Sequence, residues 1–283
     1  MSKPEEAVFL SVVIPAYNEE ARLGDTLRAI RAFLESRIDP SGIVMDGSLP
    51  FIGDFSRIVV TDDAGSPSTL SARRTEIIVV DDGSTDRTAE IAAEELRGRP
   101  NDRILRRAEN RGKGFAVREG MLASLGQLIL FSDADLSTPI AEFEKMFSGI
   151  KAGNDIVIGS RALAGSDIQR RQTPLREGMG KMFNVLVRSF VLEGIRDTQC
   201  GFKLFRRAAA LDIFSRLRTG GFCFDVEALF VARRLGYSIG QVPVVWRNYP
   251  PSKVRLFRSS AGMIRDLMRI KRLHRDLKPK ERK

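Results

Sequence analysis

The sequence predicts an α/β fold, a mostly parallel sheet flanked by helices, with a basic amphipathic helix at its C-terminal end. Three observations predict it. Short β-branched runs alternate with amphipathic stretches through the first 160 residues, and parallel neighbours require such crossover helices. The runs end in Pro, Asp or Gly clusters, which punctuate strands. The apolar share, 43% of 283 residues, is enough for the core of one large domain.

The first strand is residues 8–14, VFLSVVI, stopped by Pro15. Behind it Leu23, Leu27, Ile30, Phe33 and Leu34 recur at helical spacing, with Asn18 as the expected cap. Residues 37–75 break the rhythm with Pro40, Gly42, Gly47, Pro50, Gly53, Gly65 and Pro67, and read as an inserted loop or hairpin with FSRIVV as a short strand candidate. The second strand is EIIVV, 76–80, followed by DDGSTD and a helix over 86–97 capped by Ser84 or Thr85. RILRRAEN supplies a third strand, and RGKG leads into a helix over 114–126. LILF is a fourth strand running into the acids of SDAD, PIAEFEKMFSGI a helix, and DIVIGSR a fifth strand. After Arg161 come an apolar helix over 178–192, the DTQCGFKLF loop and strand, a helix begun by GFCFDVE, and VPVVWRN. Residues 1–258 therefore form one expected domain and 259–283 a tail.

Composition narrows the chemistry. The single His, His274, lies in the tail, so a Ser/His/Asp triad, an HExxH zinc site and a His base in the body are excluded. Cys200 and Cys223 make neither a zinc cluster nor a disulfide framework and suit buried thiols in a cytoplasmic setting. No run of 18 apolar residues and no signal peptide is visible. The net charge of +10 is unevenly placed: residues 253–283 hold 12 Lys or Arg and 3 Asp or Glu, whereas residues 1–160 hold 19 and 26.

Acid–base and metal chemistry must then run on carboxylates. Asp133 and Asp135 end the apolar strand LILF, with Ala134 between them. Two such acids repel, and a hard cation such as Mg²⁺ or Mn²⁺ would compensate them and bridge a diphosphate. An isolated D-x-D is more often a turn and helix cap, here offered by Ser137, Thr138 and Pro139. A second acidic strand end, Asp81 and Asp82 after EIIVV, favours the ligand reading, since strand-end acids accept from bases and riboses. Arg111, Lys113, Arg161, Arg247 and Lys253 sit at strand ends or loops and together suit a phosphate site.

The segments SVVIPAYNEE, IIVVDDGSTD, NRGKGFAVREG, FSDADLSTP, DTQCGFKLFRR, GFCFDVE and VPVVWRN resemble the family 2 glycosyltransferases of GT-A, Rossmann-like fold, over residues 8–258. The pairing of RDTQCGFKLF with GFCFDVE most resembles the dolichyl-phosphate β-glucosyltransferase branch. The resemblance implies an inverting transfer of glucose from UDP-glucose to dolichyl or polyprenyl phosphate, with Mg²⁺ or Mn²⁺. It places Pro15, Tyr17 and Glu19 along the nucleotide, Val80 and Asp82 at the base, and Lys113 nearby. Asp133, Ala134 and Asp135 match the D-x-D motif, with Asp135 as the principal metal ligand and Ser137 as a further one. Arg161, Arg247 and Lys253 match cations that gather donor diphosphate and acceptor phosphate. Asp225 matches the position of a general base, but an ionised phosphate acceptor needs none; holding a sugar hydroxyl or orienting a cation are equal readings. The alternatives are a saccharide or small hydroxyl acceptor, or another donor such as GDP-mannose.

Members of that branch carry a membrane helix that this sequence does not show. The tail offers another attachment. Met263, Ile264, Leu267, Met268 and Ile270 or Leu273 recur at helical spacing with Arg and Lys on the other face. Such a helix lies peripherally on the cytoplasmic face of an anionic membrane or docks its stripe on the body, and both readings stand. Nucleic acid is not an expected partner, because the basic segment has few aromatics and no recognition motif.

Overall fold

The computed structural model describes residues 8–37, 74–170, 178, 187, 192, 194–221, 223–248 and 267–279. In chain order its strands are β1 (Leu10–Ala16), β2 (Thr75–Asp81), β3 (Arg103–Arg106), β4 (Leu128–Ser132), β5 (Ile156–Ser160), β6 (Asp167–Arg170), β7 (Phe202–Arg206), β8 (Ile239–Pro243) and β9 (Val245–Arg247). The helices are α1 (Leu23–Arg37), α2 (Thr88–Glu95), α3 (Lys113–Ala123), α4 (Phe143–Lys151), α5 (Arg207–Phe214) and α6 (Phe224–Arg234). Residues 267–273 form a further helical stretch.

Seven strands make the main sheet, in the order β3-β2-β1-β4-β7-β5-β8. Six run parallel and β7 alone is antiparallel, paired to β4 on one side and β5 on the other. β1 and β2 are buried along their whole length, as central parallel strands covered on both faces are. Alternation sorts their side chains. Leu10, Val12 and Ile14 pack with Leu23, Leu27 and Ile30 of α1 and Phe143 and Met146 of α4. Val13, Ile78 and Val80 face the other way, onto Ala116 and Val117 of α3, Ile213 of α5 and Leu229 of α6. Each fully buried Leu or Ile contributes roughly 2 kcal/mol. The second face also takes Leu267 and Ile270 of the tail, so these two members of the apolar stripe dock on the body, while Met268 of the same stripe stays 68% exposed.

Two caps differ from expectation. α2 begins at Thr88 with Arg87 as its N-cap and no side-chain cap bond, because Ser84 and Thr85 are drawn to the neighbouring loop. Asn18, expected to cap α1, lies at φ 54, five residues before Leu23. Short polar side chains that bond a nearby backbone compete with capping, and Asn tolerates the left-handed region. Residues 38–73 of the insertion, most of the expected helix over 178–192, Met263, Ile264 and Lys253 lie outside the described residues.

Candidate active site

The loops after β1, β2 and β4 gather at the carboxyl ends of the parallel strands, where open α/β sheets bind ligands. Pro15 stands opposite Val80 in the β1/β2 register, and Ala16 opposite Asp81. The first two loops are laced together. Asn18 N–H donates to Ser84 Oγ at 2.9 Å and Thr85 N–H to Asn18 Oδ1 at 2.8 Å. Glu19 N–H donates to Thr88 Oγ1 at 2.7 Å, and Glu20 and Asp86 each accept from the other's loop. This lacing holds Tyr17, 40% exposed, at the mouth of the site. Asp82 is turned inward: its carboxylate accepts from Arg111 N–H, Gly112 N–H and Arg107 Nη1 at 2.8–3.1 Å. It therefore anchors the loop that presents Lys113.

The loop after β4 is built by its neighbours. Because β7 runs antiparallel, its beginning meets the end of β4, and Asp133 N–H donates to Gly201 O at 3.0 Å. A Cβ on Gly201 would stand 1.9 Å from Asp133 Oδ2, so glycine leaves the space that this carboxylate occupies. Thr26 Oγ1 donates to Ala134 O at 2.7 Å, fixing the loop to α1. Asp135 Oδ1 accepts from Ser137 N–H at 2.9 Å, and Oδ2 lies 3.9 Å from Arg22, which also pairs with Glu19 at 2.9 Å. Ser137 O in turn accepts from Arg247 N–H at 2.7 Å, while Arg247 Nε donates to Gln169 at 2.6 Å. The strand carrying Arg247 is thus pinned to the D-x-D loop.

A charge cluster, half-buried at Lys113 and Asp133 and buried at Lys203 and Asp225, lies beneath. Lys113 Nζ meets Asp133 Oδ1 at 2.6 Å, and Lys203 Nζ meets Asp225 Oδ1 at 2.5 Å and Cys200 O at 2.6 Å. Both ammonium groups lie over the Phe131 ring, 5.4 and 5.6 Å from its centroid, at distances where a cation is attracted to an aromatic face. Burial pushes the Asp225 carboxyl up, against the pull of Lys203 and Lys113. For Lys113, burial is outweighed by Asp133 and Asp225, and its ammonium form is favoured. Arg161 is gripped by Asp197 through Nε at 2.7 Å and Nη2 at 2.9 Å and lies 5.4 Å from the Trp246 ring. Against the cost of burial, that grip holds the Asp197 carboxyl below its ordinary range. Burial raises the Cys200 thiol to about 11, which makes it inert.

Exposure separates the acids that a cation could reach. The side chains of Asp133 and Asp135 are 30% and 28% exposed, whereas those of Asp82, Asp197 and Asp225 are 3%, 2% and 6%. Among the described residues no group of three or more His, Cys, Asp or Glu forms a protein-only cage. Two reachable carboxylates fit an ion that takes its remaining ligands from water and phosphate, as Mg²⁺ does.

The sequence reading of the DTQCGFKLF and GFCFDVE segments does not single out Asp197, Lys203 or Glu227. The signal for Lys203 was a lysine inside the apolar strand FKLF; Asp197 and Glu227 carried none that distinguishes them from surface acids.

The family model described as "Glycosyl transferase family 2" matches residues 11–214. The chain belongs to that family. The matched part of this family 2 glycosyltransferase includes the D-x-D loop, Lys113, Arg161 and Lys203, while Asp225 and Arg247 follow it. The chain is 35% identical over 275 residues to the dolichyl-phosphate beta-glucosyltransferase of Dictyostelium discoideum, covering 95% of this chain and 75% of that one. It is 37% identical over 269 residues to the enzyme of that name from Drosophila melanogaster, covering 92% and 74%. In fold it is similar to mannosyl-3-phosphoglycerate synthase from Rubrobacter xylanophilus, at TM-score 0.62 and 18% identity over 97% and 77% of the two chains. It also resembles glucosyl-3-phosphoglycerate synthase from Mycobacterium tuberculosis in complex with UDP, at TM-score 0.58 and 20% identity over 97% and 82%. The family 2 glycosyltransferase therefore has the GT-A architecture, with its exposed acid pair at the carboxyl edge of the sheet.

Proposed function

We propose that the protein transfers glucose from UDP-glucose to dolichyl or polyprenyl phosphate, with inversion at C1. The observation that carries the reading is the reachable Asp133/Asp135 pair set against Lys113, in a chain similar over most of its length to dolichyl-phosphate beta-glucosyltransferases. An acceptor phosphate oxygen attacks C1 from the face opposite the nucleotide. The new C1–O bond forms as the bond to UDP breaks, and its electron pair leaves on the diphosphate.

Asp135 and Asp133, with Ser137 as a further oxygen, would hold Mg²⁺ or Mn²⁺, which would supply charge stabilisation for the departing diphosphate. Lys113 and Arg161 add fixed positive charge on the donor side, and Arg247 and Lys253 on the acceptor side. Pro15, Tyr17, Glu19 and Val80 line the nucleotide. Because Asp225 is bound to Lys203 and the acceptor arrives ionised, Asp225 serves to orient that cation rather than to take a proton. No helix among the described residues is long and apolar enough to cross a membrane. The exposed Arg269, Lys271, Arg272 and Arg275 meet an anionic cytoplasmic surface, each contributing about 1 kcal/mol near the charged lipids.

The test is a donor panel. UDP-glucose, UDP-N-acetylglucosamine and GDP-mannose are each incubated with the protein, Mn²⁺ and a short dolichyl phosphate. Lipid-linked sugar from UDP-glucose alone is expected; a soluble glycoside in place of the lipid product would overturn the acceptor assignment.

A further inference from the structure

Glu227, two residues beyond Asp225, has no part in the chemistry above, yet it is fully buried and surrounded by donors. Its carboxylate accepts from Arg218 N–H at 3.0 Å, Thr219 N–H at 2.9 Å, Thr219 Oγ1 at 2.5 Å and His274 Nε2 at 2.7 Å. His274, the only histidine, is itself buried at the end of the docked tail. Arg234 Nη2 holds that end by donating to Arg275 O and Leu277 O at 2.7 and 2.8 Å.

The loop that Glu227 fixes reaches the active site through a backbone hydrogen bond and close packing at glycines. Gly220 O accepts from Gly114 N–H at 2.9 Å. A Cβ on Gly112 would stand 2.5 Å from Gly220 O, and one on Gly114 would stand 2.7 Å from Thr219 O. The two loops are therefore pressed together at glycines, and the space beside Gly220 is filled by the Phe115 ring. Lys113 lies between those glycines and meets Asp133 at 2.6 Å. Packed backbone of this kind transmits a displacement instead of damping it.

We infer that His274 is a positioning residue of the donor site, acting through Glu227 and the loop 218–220 on Lys113. The inference rests on the reading of Lys113 and Asp133 as donor-site residues, but on neither the sugar nor the acceptor. It makes the tail a part of the site's support, whatever else its basic face meets.

Calorimetric titration with UDP in the presence of Mn²⁺ tests it, because the dissociation constant is a property of the folded molecules whereas lost fold lowers only the stoichiometry. Within one hydrogen-bond network the expected coupling raises the UDP Kd of His274→Ala about tenfold. His274→Gln, whose amide can still donate to Glu227, stays near the wild type. In the double variant His274→Ala/Lys113→Ala the histidine change adds little to the lysine change. A His274→Ala protein that binds UDP with unchanged Kd but reduced stoichiometry shows a merely structural contact and overturns the inference. So does a double variant whose two effects multiply. A Lys113→Ala protein with unchanged Kd overturns it at its base, by removing Lys113 from the donor site, and is thereby distinguished from failure of the relay.

Discussion

Lys203 and Asp225 show what a single pair of residues commits the molecule to. Both are buried and bonded to each other at 2.5 Å. Lys203→Met leaves Asp225 as an uncompensated charge and is expected to lower stability by about 3 kcal/mol, whereas Lys203→Met/Asp225→Leu recovers most of that loss. Urea unfolding of the two variants checks it; equal losses would show that the pair is not the reason. Asp225→Asn keeps the shape and one acceptor, and transfer to lipid phosphate is expected to persist at near-normal rate; a fall of about a thousandfold would restore the general-base role. In the sequence the D-x-D acids were legible because strand ends concentrate function. Lys203 is not legible as a buried cation, since period-two alternation marks a lysine as inward only when its neighbours' faces are known.

At the level of elements, strand order decides what meets what. β7 runs against its neighbours, which brings Gly201 to Asp133 and Asp197 to Arg161. Gly201→Ala drives a Cβ into the Asp133 carboxylate, and misplacement of about 1 Å is expected to cost roughly a hundredfold in kcat/KM for donor, with the melting temperature little changed. An unaltered kcat/KM would show that Asp133 need not stay where it is. The alternation of β-branched runs with 3.6-period stretches made the parallel body legible, and strand limits moved by only a few residues. Capping was not legible, because Asn18, Ser84 and Thr85 bond across two loops that are far apart in sequence. Nor does local pattern reveal the direction of β7, which depends on pairing with strands on both sides.

Across the whole molecule, charge is sorted by task. The acidic first 160 residues hold the D-x-D acids and Lys113, and the basic end both docks through Leu267, Ile270 and His274 and leaves arginines outside. Of the stripe that the tail's periodicity marks, Leu267 and Ile270 are buried on the body and Met268 is exposed. Acid stability follows from two internal carboxyls. Asp197 and Glu227 are held below their ordinary values of 3.8 and 4.5 by Arg161 and by His274 and Thr219, against desolvation. Their stabilisation is present above those values and is lost as pH falls through the lower folded-state values. Asp197→Asn is expected to be less stable near neutrality but to lose less on further acidification, read as urea midpoints from about pH 7 to about pH 3. Parallel curves for the two proteins would contradict that assignment.

The most direct measurement follows radiolabelled glucose from UDP-glucose into a short dolichyl phosphate, with Mn²⁺ or with chelator, for the wild type and for Asp135→Asn. Labelled lipid is expected from the wild type with metal, falling at least about a hundredfold on chelation or on substitution. Labelled lipid formed equally well by Asp135→Asn, or undiminished by chelator, would contradict the account.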